Sequence, residues 1–425
     1  MNVLSRVRRV NPAFAAAAMV SSMILLAGGL TLAGPVGAEQ QSAPAPGPPA
    51  SWAGAWTSGQ QALTGTGFAD QTLRLLVHPT LGGSVLRIRL ANTFGGSDQT
   101  FDAVSVAVAT SAATADLVPG SVRTVRFGGA TSVTIAAGAR AISDPISLAV
   151  KYGQTLAVDL YVSSTGPGAV TGHVSAGQES FTATGNQVGE PTGTAFTGQL
   201  SSWYWLDGVD VRSARGASGS VVALGDSLTD GAYSSYNGNK RWTDDLAARL
   251  QALPGSRSVG VLNEGIGGNR VLAFRGDCCG NGTSESALAR LDRDAIAQTG
   301  ARTLIIADGI NDIGYNAAAP ALIQGLNQLV VQAKSAGLTV IGATITPYGC
   351  PGGCFGPAQE ATRQAVNVWI RTSGAFDGVV DFDRAVADPT QPSRVSPTYD
   401  AGDHLHLNDS GYAALAAAID LRLLH

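Results

Sequence analysis

Two hydrophobic periodicities meet near residue 218, and this change of pattern is what most constrains how the 425-residue chain can fold. Upstream, apolar and polar residues alternate in short runs at Gln71–Val77, Ser84–Leu90, Val104–Val108, Ser132–Ile135, Thr155–Val162 and Ala169–Val174, broken by Gly, Pro, Asn and Asp. Successive side chains of a strand point to opposite faces, so these runs predict an all-β, jelly-roll-like sandwich domain over residues 51–218. Downstream, strand-like runs at Ser220–Leu224, Val259–Asn263, Thr303–Ala307, Thr339–Ile345 and Val379–Phe382 alternate with helical stretches. The helices read at Thr243–Ala252, Ser284–Gln298, Ala321–Ala336, Gln359–Thr372 and Asp409–Leu424. Pro320 suits a first helical turn, and Gly300, Gly337 and Gly374 suit helix stops. Strands joined through helices predict a three-layer α/β domain with a parallel five-stranded sheet over residues 219–425.

The first 38 residues carry Arg6, Arg8 and Arg9, an apolar run from about Ala13 to Ala33, and Val36-Gly37-Ala38. This is the pattern of an export signal cut after Ala38, with no stable membrane anchor left behind. Residues 39–50 (EQQSAPAPGPPA) read as a linker. The net charge of −4 gives no basic stripe for nucleic acid, which argues against such a partner. The four cysteines, Cys278, Cys279, Cys350 and Cys354, are even in number and fit disulfide staples in an oxidising compartment better than a zinc site. Cross-pairing between the two clusters and a local Cys350–Cys354 bridge both remain open. No metal or organic cofactor is expected.

In an open parallel sheet, ligands bind beyond the carboxyl ends of the strands, so the residues after each strand carry the functional information. The first strand ends in Gly225-Asp226-Ser227-Leu228-Thr229-Asp230-Gly231. Ser227 there either presents its hydroxyl at a helix N-terminus, where developing negative charge is favoured, or caps that helix with Asp230 completing a capping box. The second strand ends in Asn263-Glu264-Gly265-Ile266-Gly267-Gly268-Asn269-Arg270, which lets backbone approach a reacting centre but does not fit Gly-x-Gly-x-x-Gly. The third ends in Asp308-Gly309-Ile310-Asn311-Asp312, where Asn311 can donate to an oxyanion. Before the last helix comes Asp403-His404-Leu405-His406. Of the five histidines, His78 and His173 fall in the β region and His425 ends the chain, which leaves His404 and His406 as candidate bases.

Gly-Asp-Ser, a Gly-containing loop, Gly-x-Asn-Asp and Asp-x-x-His, in that order over about Gly219–His425, resemble the SGNH (GDSL-type) hydrolases. The resemblance implies a flavodoxin-like hydrolase domain in which Ser227 is the nucleophile and Asp403 and His406 complete the triad. It implies an oxyanion hole of the Ser227 and Gly268 backbone N–H groups and the Asn311 side chain, with Gly267 adjacent and His404 a bystander. The preceding β region, with Gln71-Thr72-Leu73-Arg74 and Val85-Leu86-Arg87-Ile88-Arg89-Leu90-Ala91-Asn92, resembles the exported subgroup similar to arylesterases and acetyl xylan esterases. That implies removal of short acyl groups, acetyl first, from carbohydrate such as xylan. A secreted lipase or phospholipase and a broad arylesterase are neighbouring readings. A non-catalytic carbohydrate-binding or adhesion protein is the reading from another class. Trp203, Tyr204 and Trp205 are expected at the domain junction, either stacking on sugar or packing the interface.

Overall fold

The computed structural model describes residues 52–65, 67–212, 217–253, 258–278, 282–350 and 355–424. The expected leader and linker lie outside them. Cys279 and Cys354 do too, and with them the expected cysteine pairing.

Upstream of residue 213 the described chain is mostly strand, arranged in several sheets. One antiparallel sheet runs Trp52–Thr57, Leu206–Arg212, Gly83–Ala91 and Ile146–Val150 in that spatial order, with Arg140–Ile142 also against Gly83–Ala91. A second is centred on Ala69–Val77, Leu156–Ser164 and Ala103–Val108. Period-two patterning sets its register, with Leu73 opposite Leu160, Leu75 opposite Val158 and Val77 opposite Leu156. These side chains share one core with Leu86, Ile88, Leu90, Val209 and Val211 of the first sheet. The opposite face of the second sheet is covered as well, with Leu76, Ala107 and Ala157 packed on Phe181 and Phe196.

That second buried face contains Arg74 and Asp159, joined by two hydrogen bonds of 2.8 Å. Arg74 also donates to the Ala115 and Glu190 carbonyls and lies 3.9 Å from the centroid of the Phe196 ring. A buried ion pair is tolerated only when its remaining valences are satisfied, and here they are. Arg87 and Arg89 face Asp210, so the polar residues of these two strands are spent on structure.

The parallel sheet has five strands: Ala217–Gly225, Ser258–Gly265, Ala301–Ala307, Thr339–Ala343 and Gly378–Val380, first to fifth along the chain. Their spatial order is second, first, third, fourth, fifth, the flavodoxin-like order. Val221–Leu224, Leu304–Ile306, Val340 and Ile341 are buried, as expected of strands covered on both faces. Helices at Trp242–Gln251, Ala319–Ser335, Pro357–Thr372 and Asp409–Ala418 supply much of that cover.

The helix expected over Ser284–Gln298 is corrected. Ser284 ends a short strand, Gly282–Ser284. The helix begins only after Ser286, whose side chain accepts from the Ala289 N–H, and it widens into a π-turn at Asp292–Ile296. The last helix likewise stops at Ala418, short of the expected Leu424, and a single turn follows at Leu421–Leu423.

The two patterned regions meet along the edge strand Ser258–Gly265. Gly54 and Gly260 permit the approach: a Cβ on Gly260 would lie 2.0 Å from the Gly54 carbonyl oxygen. Thr80 satisfies both polar groups of Val261, its hydroxyl donating to the Val261 carbonyl and accepting from the Val261 N–H, each at 2.9 Å. An exposed sheet edge invites unwanted pairing, and this one is covered. A further sheet joins strands from either side of residue 218, with Gln61–Leu63 pairing to Gly282–Ser284 through Leu63 and Gly282.

Candidate active site

The first parallel strand stops at Gly225, where a Cβ would collide with the Ala307 carbonyl oxygen at 2.4 Å. The chain then turns into a four-residue helix, Ser227–Asp230. Asp226, not Ser227, caps it by accepting from the Leu228 N–H at 2.9 Å. The capping reading of Ser227 is thus corrected. Ser227 is the first helical residue, its hydroxyl is left for other work, and Asp230 points elsewhere. Gly265, at the end of the second strand, lets this helix settle closely, since a Cβ there would lie 2.1 Å from the Asp230 nitrogen.

The Ser227 hydroxyl lies 2.8 Å from His406 Nε2, and His406 Nδ1 lies 2.6 Å from Asp403 Oδ2. A carboxylate only accepts, so Nδ1 carries the proton and Nε2 is left to accept from the Ser227 hydroxyl. Asp403 Oδ1 accepts the backbone N–H groups of Leu405 at 3.0 Å and His406 at 2.8 Å. Burial raises the Asp403 pKa, but the hydrogen bonds from the His406 ring and from these two N–H groups outweigh it and hold the carboxyl below its ordinary value. His404 is turned to a separate partner, its Nδ1 2.6 Å from Asp400 Oδ2, as befits a bystander to this chain of bonds.

Ser227, Gly267, Gly268, Asn311 and His406 line one cleft of about 640 Å³. The Asn311 amide donates one N–H to the Asn269 carbonyl at 2.9 Å, which orients the group and leaves its second N–H. Among the described residues, the backbone N–H groups of Ser227 and Gly268 donate to no partner. Asp312 pins the loop beyond Gly268 by accepting from the Val271 and Leu272 N–H groups at 2.8 and 3.0 Å.

Sequence reasoning missed the residue that ties these loops together. Arg290 is fully buried and donates to the Gly225 carbonyl (2.8 Å), the Glu264 carbonyl (2.7 Å), Asn269 Oδ1 (2.8 and 3.1 Å) and Asp294 (3.2 Å). One guanidinium thus joins the ends of the first two strands to the residue after Gly268. It stands near the buried carboxyl groups of Asp226, Glu264, Asp294 and Asp308. Burial pushes Asp226 up to about 7, and burial together with Asp226 and Asp312 pushes Asp308 well above its ordinary value. Asp312 is also raised by burial.

Tyr233 and Tyr236, both exposed, line the cleft, and Tyr233 stacks on the His406 ring at a centroid distance of 5.1 Å. Ser175, Gly177 and Ser201 line it from the N-terminal region. No periodicity marks any of these residues in the sequence. Trp203, Tyr204 and Trp205 are buried and pack edge-on against Trp56, Phe68 and Phe101 in the core of the N-terminal region, so they pack rather than stack on sugar, and the expected junction is corrected to that core.

No curated protein matches the chain. Among solved structures it is similar to a lipolytic protein of the G-D-S-L family from Desulfitobacterium hafniense DCB-2, at 21% identity over 48% of this chain and 99% of that one, with a TM-score of 0.37. It is also similar to an acetylxylan esterase from Geobacillus stearothermophilus, at 23% identity over 48% of this chain and 93% of that one, with a TM-score of 0.36. Residues 223–414, which hold the helix of Ser227, the Gly268 loop, Asn311 and the Asp403–His406 turn, match the GDSL-like lipase/acylhydrolase family model. They belong to that family, and the protein that carries them is an ester-hydrolysing enzyme.

Proposed function

We propose that the protein is an exported serine esterase that removes short acyl groups, acetyl first, from carbohydrate such as xylan, by way of an acyl-enzyme on Ser227. The observation that carries this reading is the unbroken chain of hydrogen bonds from Ser227 through His406 to Asp403. His406 Nε2 takes the hydroxyl proton as Ser227 Oγ attacks the ester carbonyl carbon, and the ionised Asp403 steadies the imidazolium that forms. The Ser227 and Gly268 N–H groups and the second N–H of Asn311 receive the oxyanion. Collapse of the tetrahedral intermediate breaks the bond to the alcohol, which leaves with the proton held by His406. Water then attacks the acyl-enzyme, His406 taking its proton and returning it to Ser227.

Small residues beside the nucleophile, Gly231 and Ala232, suit a short acyl group. The exposed Tyr233 and Tyr236 rings, the Arg275 side chain and the Ser175 and Ser201 hydroxyls offer apolar faces and hydrogen bonds together, as a hydroxyl-rich alcohol requires. The leader pattern of residues 1–38 supports export to where such a polymer lies.

The test is acetate release from acetylated xylan, measured beside hydrolysis of p-nitrophenyl acetate, octanoate and palmitate. Acetate release with little long-chain turnover is expected. Preference for octanoate or palmitate would move the protein to the lipases, and activity on small aryl esters alone would make it an arylesterase. Asn311→Ala is expected to lower kcat on p-nitrophenyl acetate by about 10²–10³-fold. A change confined to KM would reduce Asn311 to a substrate-positioning role.

A further inference from the structure

The N-terminal region reaches the nucleophile through one buried histidine. His173 ends the strand Val170–His173 and is 2% exposed. Its Nδ1 lies 2.7 Å from the Gly59 carbonyl oxygen, and its Nε2 lies 3.0 Å from Asp230 Oδ1. A carbonyl cannot donate, so Nδ1 carries a proton. In a neutral ring Nε2 would then turn a lone pair toward a carboxylate oxygen, which is repulsive. A second proton on the ring removes the conflict and makes the contact an imidazolium–carboxylate pair.

Asp230 is the last residue of the four-residue helix that Ser227 begins. Arg241 backs the same end of that helix, its Nε donating to the Asp230 carbonyl at 2.9 Å and its Nη2 to the Ala176 carbonyl. Ser175 and Gly177, beside these contacts, line the cleft. We propose that His173 is a positioning residue of the hydrolase, holding the nucleophile helix in place through Asp230 only while its ring is protonated. The role rests on the reading of Ser227 as nucleophile.

The charged and titratable groups facing His173 are Asp230 from the nucleophile helix and Arg241 from the start of the Trp242–Gln251 helix. Asp244, the ion partner of Arg241 at 3.3 Å, and His78 border the same small cavity. The Trp203 ring lies beside His173, at 5.6 Å. Burial lowers the His173 pKa, but the charge of Asp230 and the bonds to Asp230 and Gly59 outweigh burial and Arg241 and leave it raised. Burial holds the His78 pKa below its ordinary value. A raised histidine pKa makes the clamp fully present at low pH and lost as pH rises through that value. The enzyme therefore carries an alkaline limb set by His173. Tyr412, whose hydroxyl donates to the Ala232 carbonyl at 2.7 Å, is raised well above its ordinary value by burial and takes no part in this limb.

Asp230→Asn in the full chain tests the clamp. The amide can donate to a neutral Nε2 while Nδ1–H stays on Gly59, so the hydrogen bond survives and the charge pair does not. The pH profile of kcat/KM on p-nitrophenyl acetate is read for the wild type, Asp230→Asn and Ser227→Ala. The His173 ring is titrated by NMR in Ser227→Ala, with and without Asp230→Asn. The expected result is a wild-type alkaline limb of at least about tenfold whose midpoint matches the His173 titration. Asp230→Asn should abolish the limb and move the His173 titration to lower pH. An unchanged limb in Asp230→Asn, or a His173 ring already neutral at the activity optimum, overturns the proposal while leaving the serine mechanism intact. Activity retained in Ser227→Ala overturns the serine reading and the role of His173 with it.

Discussion

Replacing Ser227 with alanine is expected to lower kcat on p-nitrophenyl acetate by about 10⁴–10⁶-fold. The hydroxyl is the one group in the cleft that the Asp403–His406 pair is aligned to deprotonate. Without it no acyl-enzyme forms, and what remains is the rate that the oxyanion donors and substrate binding support. The fold should be untouched. The first helical turn is capped by Asp226, and the Ser227 side chain makes a single hydrogen bond, to His406. Thermal unfolding of the variant should therefore differ from wild type by about 0.5 kcal/mol or less. Turnover within about tenfold of wild type in a correctly folded variant would show that the nucleophile lies elsewhere.

Arg290→Met is expected to destabilise the protein by about 3–5 kcal/mol, since it removes one side of a buried, fully bonded charge network. The loss leaves Asn269 Oδ1 without its donor and takes one hydrogen bond each from the Gly225 and Glu264 carbonyls. Gly225 leads into the Ser227 turn and Asn269 follows Gly268, so kcat should fall in whatever fraction remains folded. Arg290→Lys should not rescue, because a single ammonium cannot span four separate acceptors as a planar guanidinium does. Urea denaturation and p-nitrophenyl acetate turnover at low temperature check both statements. A loss below about 1 kcal/mol would show that the strand ends hold their positions without Arg290.

Much of the hydrolase domain was legible from local pattern. Its five strands and the helices at 242–251, 319–335 and 357–372 lie within a few residues of where hydrophobic period and Gly or Pro punctuation put them. Ser227, Gly268, Asn311, Asp403 and His406 were legible because each stands in a short run whose spacing is itself the signal. The strands Trp52–Thr57 and Leu206–Arg212 were not read, although they pair side by side. Both are buried nearly throughout, which blurs the period-two signal on which strand reading depends. Ser284–Gln298 reads as one helix from composition, but Ser284 is drawn into a strand and bonds Asn269, a partner that helical periodicity does not register.

Local pattern carried the five parallel strands, most of the helices between them and the short runs at the strand ends, because those properties depend on residues close along the chain. Tertiary structure alone decided which distant groups meet. Ser227 and His406 are 179 residues apart, and Arg290 reaches back 65 residues to Gly225. His173 reaches 57 residues forward to Asp230 from a different sheet. Such contacts are selected by the burial and charge balance of the whole packed core, where a donor is stable only beside the acceptor that satisfies it, and no window of sequence contains both.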